Sequence, residues 1–269
     1  MNRTAKPRNA LLFGALAPLL WFAMPDPVVA QRGRGQPAPQ GVRSPREAAP
    51  IDLTGYWVSI ISEDWPWRMI TPRKGDYTNV PITAEGRRVA DAWNPGRDTK
   101  EGNQCRAYGA PGIMRMPVRL RITWENESTL RMDTDAGRQT RLLHFGDATP
   151  AAGERTWQGH SVAMWEFAGG RGQRGGRGAR PQGGSLKAVT THMRPGYLRE
   201  NGVPYSENAI LTEYFDRHTQ LGAEWITHTR IVEDPRYLTE PWVVTSHFKH
   251  EPDDSKWNPR PCEAGRPGQ

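Results

Sequence analysis

Between residues 55 and 250 the chain is a succession of short segments with the composition of β-strands, separated by turns. Arg119 to Glu125 alternates, with Leu120, Ile122 and Trp124 on one face, and the turns at 125–128 and 135–137 lead into two further segments of the same kind. Nine such segments are predicted: 55–62, 119–125, 130–134, 138–145, 157–167, 186–193, 210–218, 224–233 and 242–250.

Helical patterns are rare in the same region. Thr83 is a suitable cap for one short helix, which Asn94 and Pro95 would end. Because strands do not alternate with long amphipathic helices, a doubly wound or (β/α)8 fold is disfavoured. We therefore predict an all-β protein, an antiparallel up-and-down barrel of about eight to ten strands with one short helix, with a β-sandwich as the alternative.

The first thirty residues have the pattern of a secretory signal peptide. Basic residues at 3, 6 and 8 precede an uncharged apolar run from Ala10 to Met24, and Val28 to Ala30 has the small residues of a cleavage site. The apolar run is short for a membrane span, which needs about 20 residues. These features predict export to the periplasm or the medium, without an integral membrane segment after cleavage.

The excess of basic residues lies largely outside the predicted fold. The chain has 36 Lys+Arg and 29 Asp+Glu, a formal net charge of +7. Several arginines fall in the predicted flexible leader 31–50 and in an Arg/Gly-rich insertion at 168–185, both with the composition of solvated chain. The remainder, a single domain over 51–263 followed by a tail at 264–269, is close to neutral. No specific nucleic-acid partner is therefore expected.

The two cysteines, Cys105 and Cys262, lie near the two ends of the predicted domain. In an exported chain a pair of this kind predicts a disulfide, with two separate thiols as the alternative. Such a long loop would contribute roughly 4 to 5 kcal/mol in the chain-entropy model. Neither the cysteines nor the seven histidines have metal-ligand spacing, so no metal or cofactor is expected.

Two segments could form a rim around the barrel opening. Trp65 and Trp67 beside Arg68 have the chemistry to stack on a flat ligand. The long connection 193–208 carries Tyr197 and Tyr205, and such loops are often functional. The alternatives are structural packing of the tryptophans and a loop packed by its own side chains. His192 borders this loop and joins the candidate ligand-binding residues.

The alternation of side chains along two predicted strands places charged and apolar residues on the same face of each strand; we call these the two mixed faces. Leu211, Glu213, Phe215 and Arg217 share one face of their strand, and a second face is shared by His160, Val162, Met164 and Glu166. A strand face that combines acidic, basic and apolar side chains is typical of a partly polar cavity that binds a ligand. His160 and Glu213 are the candidate catalytic pair if the protein is an enzyme, and Arg217 is a candidate ligand contact. The alternative is a structural pair between Glu213 and an arginine on a neighbouring strand, such as Arg230.

Several longer motifs resemble a known group of proteins. Asp52-Leu-Thr-Gly-Tyr-Trp57 resembles the Gly-x-Trp first strand of lipocalin-type barrels. The segments 157–166, 211–217 and 231–242 extend the likeness to an uncharacterised family of exported bacterial lipocalin-like β-barrel proteins. In those relatives the Trp-Glu pair that corresponds to residues 165–166 is followed by a tight turn and the next strand. In this chain the Arg/Gly-rich insertion follows the pair. The resemblance implies fold and export more firmly than activity.

Together these features predict an extracytoplasmic binding protein for a hydrophobic or aromatic small molecule held in the barrel lumen. The alternative is a cofactor-independent lyase, hydratase or isomerase that uses a lumen acid–base pair. The sequence leaves the oligomeric state open.

Overall fold

The computed structural model describes residues 43–146, 153–168 and 183–265, and in these residues nine strands close into a β-barrel. Thirteen strands are described in all: β1 (Gly55–Ile60), β2 (Arg119–Asn126), β3 (Thr129–Thr134), β4 (Ala136–Gly137), β5 (Thr140–Phe145), β6 (His160–Phe167), β7 (Gly184–Thr191), β8 (Gly196–Tyr197), β9 (Pro204–Tyr205), β10 (Ile210–Gln220), β11 (Ala223–Glu233), β12 (Trp242–Glu251) and β13 (Arg260–Pro261). Around the barrel the order is β1-β2-β3-β5-β6-β7-β10-β11-β12, and β12 pairs with β1. The predicted barrel is confirmed, and each barrel strand overlaps one of the nine predicted segments.

One pair of neighbours is parallel. β5 and β6 run in the same direction, with Leu143 opposite Ser161 and Phe145 opposite Ala163, whereas every other described barrel pair is antiparallel. A ring with an odd number of strands cannot alternate in direction throughout, so one parallel pair is unavoidable. A parallel pair needs a connection of about a dozen residues or more, and the span 146–159 supplies it.

Apolar side chains pack together inside the barrel. Inward-facing residues of most barrel strands pack into a single core, which includes Trp57, Leu120, Ile122, Leu130, Met132, Leu143, Leu186, Phe215, Ile226 and Phe248. The Trp57 indole nitrogen donates to the Leu53 carbonyl oxygen at 3.0 Å, so the one polar atom of this ring is satisfied. Burial of these side chains is the main stabilising contribution to the fold.

The helices are short and lie in connections between barrel strands. They are α1 (Trp65–Arg68), α2 (Ala84–Asp91), α3 (Pro95–Lys100), a 3-10 helix (Arg106–Tyr108) and α4 (Ala110–Ile113). The predicted helix is α2, and the Thr83 hydroxyl caps it by accepting from the Gly86 backbone nitrogen at 3.0 Å. The other helical turns were not predicted, because they are too short to show a 3.6-residue period.

The disulfide between Cys105 and Cys262 is confirmed, with their Cα atoms 5.1 Å apart. It fixes the C-terminal segment to the barrel, where β13 pairs with β4. A disulfide of this kind indicates a non-reducing environment. Among the described residues, no helix has both the length and the apolar character required to cross a membrane.

Some predicted features fall wholly or partly outside the described residues. The signal peptide, residues 31–42 of the leader, residues 169–182 of the insertion and residues 266–269 of the tail all lie there. Residues 43–50 of the leader are described and contact the barrel, since Arg46 pairs with Glu127 at 3.3 Å and the Trp165 indole nitrogen donates to the Pro45 carbonyl oxygen at 2.8 Å. Phe167 and Gly184 are opposite one another in the β6–β7 ladder, so the insertion departs from the end of this hairpin.

Candidate functional site

The two mixed strand faces point in opposite directions. The β10 face that carries Glu213 and Phe215 lies inside the barrel and both residues are fully buried. The β6 face that carries His160 and Met164 lies outside: the His160 ring stacks on His144 at 5.2 Å, and Met164 is 49% exposed. The expectation that both faces line one cavity is therefore wrong. Alternation separates the two faces of a strand but does not say which one is buried.

Glu213 is held by a buried hydrogen-bond network inside the barrel. Arg141 of β5 donates to both of its carboxylate oxygens, with an Nη1 to Oε1 distance of 3.0 Å, and His228 of β11 lies 3.0 Å from Oε1 through Nε2. All three side chains are fully buried. His160 does not reach this network. Arg230 is opposite Glu213 in the β10–β11 ladder, but the expected pair with it is replaced by the pair with Arg141.

The protonation states in this network follow from its charges. Burial raises the pKa of Glu213, but the Arg141 charge and the hydrogen bonds from His228 and Arg141 outweigh it and hold the pKa at about 2. Burial lowers the pKa of His228 and outweighs the hydrogen bond and charge of Glu213, which raise it; the charges of Arg230 and Arg141 lower it further. His228 is therefore neutral, and its Nε2 carries the proton that Glu213 accepts. His228 Nδ1 has no hydrogen-bond partner among the described residues.

Beside this network lies a group of four buried arginines, which we call the arginine cluster: Arg68, Arg115, Arg199 and Arg230. Their exposed fractions are 2%, 4%, 4% and 0%. They come from α1, from the turn after α4, from the loop between β8 and β9, and from β11. Long-range packing of separate segments therefore creates the cluster.

The indole ring of Trp242 lies at the centre of the arginine cluster. The guanidinium carbons of Arg230, Arg115 and Arg199 lie 4.8, 5.3 and 5.5 Å from its centroid. Arg68 joins the group through a 3.0 Å hydrogen bond from Nε to the Arg115 carbonyl oxygen. Cation–π contacts at these distances favour the positive charge on each guanidinium.

Two members of the cluster have acidic partners. Arg68 Nη1 lies 2.6 Å from Glu63 Oε1, and its Nη2 donates to the Ser246 hydroxyl oxygen at 3.3 Å. Arg115 Nη2 lies 3.1 Å from Asp64 Oδ2. These two charges are therefore compensated within the chain.

The other two members, Arg199 and Arg230, have no acidic hydrogen-bond partner among the described residues. No side-chain nitrogen of either residue has a hydrogen-bond partner of any kind there. Burial and the nearby charge of Arg115 lower the pKa of Arg199 to about 10, and the same two effects lower the pKa of Arg230; the charges of Asp64 and Asp76 on Arg199, and of Glu213 on Arg230, oppose them from a longer distance. Since arginine keeps its proton in proteins, both remain cations. Two buried guanidinium groups with unmet hydrogen bonds are therefore the candidate site for an anion.

A narrow cleft leads toward the cluster from the side of the β8–β9 loop. Its lining includes Arg68, Arg115, Arg199, Trp67 and Glu200. The cavity volume is about 10 Å³, close to the room that one water molecule requires. The Arg199 guanidinium lies 5.6 Å from the Trp67 ring centroid, so a second aromatic face borders the charge. Of the residues predicted to bind a ligand, Trp67 and Arg68 lie at this site.

The remaining predicted ligand-binding residues lie elsewhere. Trp65 is on the surface, 60% exposed, and His192 is exposed beside Thr191, whose hydroxyl lies 3.0 Å from its Nδ1. Tyr197 and Tyr205 are buried in the β8–β9 hairpin, and Tyr197 packs in the same apolar core as Trp57. Arg217 pairs with Glu224 at 3.0 Å.

No group of three or more His, Cys, Asp or Glu side chains with the arrangement of a metal site occurs within residues 43–146, 153–168 and 183–265. The donors that converge inside the barrel are guanidinium groups, which bind anions. Comparison of the chain with family models, with curated proteins and with solved structures finds no match.

Proposed function

We propose that the protein is an extracytoplasmic binding protein whose barrel takes up the acidic group of a small organic anion at the arginine cluster. The observation that carries this proposal is the pair Arg199 and Arg230, buried cations without a hydrogen-bond partner among the described residues. A carboxylate or phosphate would supply a negative charge at hydrogen-bond distance. Its oxygens would accept hydrogen bonds from both guanidinium groups, whose planar arrangement of donors suits such anions.

The aromatic rings beside the arginine cluster favour a ligand that has a planar aromatic part. Trp242 and Trp67 both lie within cation–π distance of Arg199. An aromatic group next to the acidic group would stack on such rings while its charge meets the guanidinium groups. The proposal keeps the aromatic ligand predicted from the sequence and adds the acidic group. A purely hydrophobic ligand has less support, because the apolar side chains inside the barrel already pack against one another.

Entry of the ligand involves a change of conformation. The cleft has room for about one water molecule, so the wall formed by Trp67, Leu198 and Glu200 moves outward when an organic anion binds. This wall belongs to a short helix and a loop, whereas Arg230 and Trp242 lie on barrel strands. The ligand would therefore select an open state of the loop around a fixed strand framework.

Export rests on two supporting features. The N-terminal sequence has the pattern of a cleaved signal peptide, and the Cys105–Cys262 disulfide is typical of non-reducing compartments. We place the protein in the periplasm or the medium, where a binding protein meets free organic acids.

Catalysis remains a second candidate, with a different base from the one predicted. Glu213, with a pKa of about 2, stays ionised at neutral pH and cannot donate a proton. His228 is neutral and its Nδ1 lacks a hydrogen-bond partner among the described residues, so this atom is the proton acceptor that a lyase, hydratase or isomerase would use. Arg230, two residues along the same strand face, would bind the acidic group of the substrate.

The test is thermal and chemical unfolding with a panel of probes. Phosphate, benzoate and phenyl phosphate are compared with benzyl alcohol at the same ionic strength. We expect the anions to stabilise the wild-type protein, by about 2.7 kcal/mol at one hundred times the dissociation constant. Phenyl phosphate should have the largest effect, and benzyl alcohol should have none.

Arg230→Met is the diagnostic variant, and Arg121→Met on an exposed site of β2 is its matched control. Arg230→Met should abolish the response to phosphate without a large loss of stability, since it replaces a buried guanidinium group that has no hydrogen-bond partner among the described residues by an apolar side chain. Arg121→Met should respond like the wild type. Equal responses of all three proteins, or equal stabilisation by benzyl alcohol, would contradict the proposal.

A further inference from the structure

A second cleft lies outside the barrel, between helices α2 and α3 and the β8–β9 hairpin. We call it the hairpin cleft; its lining consists of Arg88, Val89, Ala92, Trp93, Arg97, Arg106, Pro195, Gly196, Tyr197, Pro204, Tyr205 and Tyr237. Its cavity volume is about 320 Å³, within the size range of small-molecule sites. It shares no lining residue with the cleft that leads to the arginine cluster.

Aromatic side chains form the floor of the hairpin cleft. Trp93, Tyr197, Tyr205 and Tyr237 are each buried. Tyr197 is fixed at its hydroxyl, which donates to Asp98 Oδ2 at 2.9 Å and accepts from Arg106 Nη1 at 3.1 Å. The Tyr205 hydroxyl is buried and has no hydrogen-bond partner among the described residues.

Close packing keeps this floor in place. A Cβ atom at Gly196 would lie 2.6 Å from the Tyr205 hydroxyl oxygen, so only glycine allows the two segments to approach this closely. Tyr205 itself is fully buried. A ligand would therefore meet a surface that is already formed, which lowers the entropic cost of binding.

Two exposed arginines border the cleft without a partner for their charge. The side chains of Arg88 and Arg97 form no hydrogen bond or ion pair with any residue in the part of the chain that the structure describes. The third arginine, Arg106, is neutralised by Asp98, whose Oδ1 lies 2.8 Å from its Nη1. The cleft therefore combines an apolar aromatic floor with two available cations at its edge.

We infer that the hairpin cleft is a second binding site, for an aromatic carboxylate. Its ring system would lie on the tyrosine and tryptophan floor, and its carboxylate would pair with Arg88 and Arg97. An aromatic ring is favoured over a flexible chain because four of the lining residues are aromatic. This site is independent of the proposed anion site in the barrel.

The probe for the test is 2-naphthoate, with 2-naphthalenemethanol as its uncharged analogue, and binding is measured by titration calorimetry. We expect the double variant Arg88→Gln/Arg97→Gln to weaken 2-naphthoate binding about tenfold, as the loss of charge-assisted hydrogen bonds at a half-open site would do. Ala92→Trp, which fills the cleft from its exposed edge, should remove the binding at the hairpin cleft and leave only the binding at the barrel site, which Arg230→Met removes. The analogue should bind about as weakly as 2-naphthoate binds to the double variant.

Two further variants separate this site from the barrel and from general charge effects. Arg230→Met should leave the binding of 2-naphthoate at the hairpin cleft unchanged, and so should Arg121→Gln on the outer face of β2. The inference is overturned if Ala92→Trp and the double variant both bind 2-naphthoate within twofold of the wild type. Loss of all 2-naphthoate binding in Arg230→Met, with no effect of Ala92→Trp, would likewise overturn it and assign the probe to the barrel.

Discussion

The buried pair of Glu213 and Arg141 gives the sharpest test of the barrel interior. Glu213→Gln keeps the size of the side chain and keeps a carbonyl oxygen for the His228 hydrogen bond, but it removes the only charge that compensates Arg141 in this network. Both partners are fully buried, and breaking such a pair from one side costs about 3 to 5 kcal/mol. In a domain of this size that corresponds to a fall in Tm of roughly 6 to 20 °C.

The informative comparison is with Arg141→Met in two backgrounds. In the wild type this substitution leaves Glu213 as an unpaired buried anion and should be destabilising by a similar amount. In the Glu213→Gln background it removes an unpaired cation and should be stabilising. The effect of one substitution therefore changes sign with the state of its partner.

Denaturant unfolding of the four proteins measures this cycle, and Glu166→Gln serves as the matched control. Glu166 is exposed on β6 and lies 3.8 Å from Lys187, so its loss should cost less than about 1 kcal/mol. The reasoning is refuted if Glu213→Gln also costs less than about 1 kcal/mol, or if Arg141→Met is equally destabilising in both backgrounds.

Two further predictions concern pH and the disulfide. Folding lowers the pKa of Glu213 from 4.5 to about 2, so its contribution to stability is complete above its unfolded pKa and is lost as the pH falls toward 2. The free energy of unfolding, measured across this pH range, should fall less in Glu213→Gln than in the wild type. An identical pH profile of the two proteins would contradict the assignment. Replacing Cys105 and Cys262 together by serine opens a loop with a sequence separation of 157 and should lower the free energy of unfolding by up to about 5 kcal/mol. The comparison is with the wild type, measured with and without reductant. A double variant as stable as the oxidised protein would count against a stabilising role of the disulfide.

Much of the fold was predictable because its barrel strands follow a simple alternation. In β2 and β11 the buried residues recur at every second position, as a strand with one face inside a barrel requires. β6 shows the limit of this reasoning, because Val162 and Met164 on one face are as apolar as Ala163 and Trp165 on the other. Only the pairing with its neighbours decides that Ser161 and Ala163 face inward.

The site was harder to predict than the fold, for a physical reason. Arg141 and Arg230 each lie two residues from a buried apolar residue of the same strand, Leu143 and Val232, so strand alternation indicates that they face inward but not which side chains they meet. Arg199 lies in a loop, where no periodic pattern indicates burial. Its position beside Trp242 is a product of tertiary packing alone.

A crystal structure of the purified protein, at a resolution that distinguishes an ordered anion from water, would show whether the arginine cluster holds an anion. We expect density for an acidic group within hydrogen-bond distance of the guanidinium nitrogens of both Arg199 and Arg230, beside the ring of Trp242. A structure in which both guanidinium groups are solvated by water alone, or in which Arg199 turns outward to the surface, would contradict it.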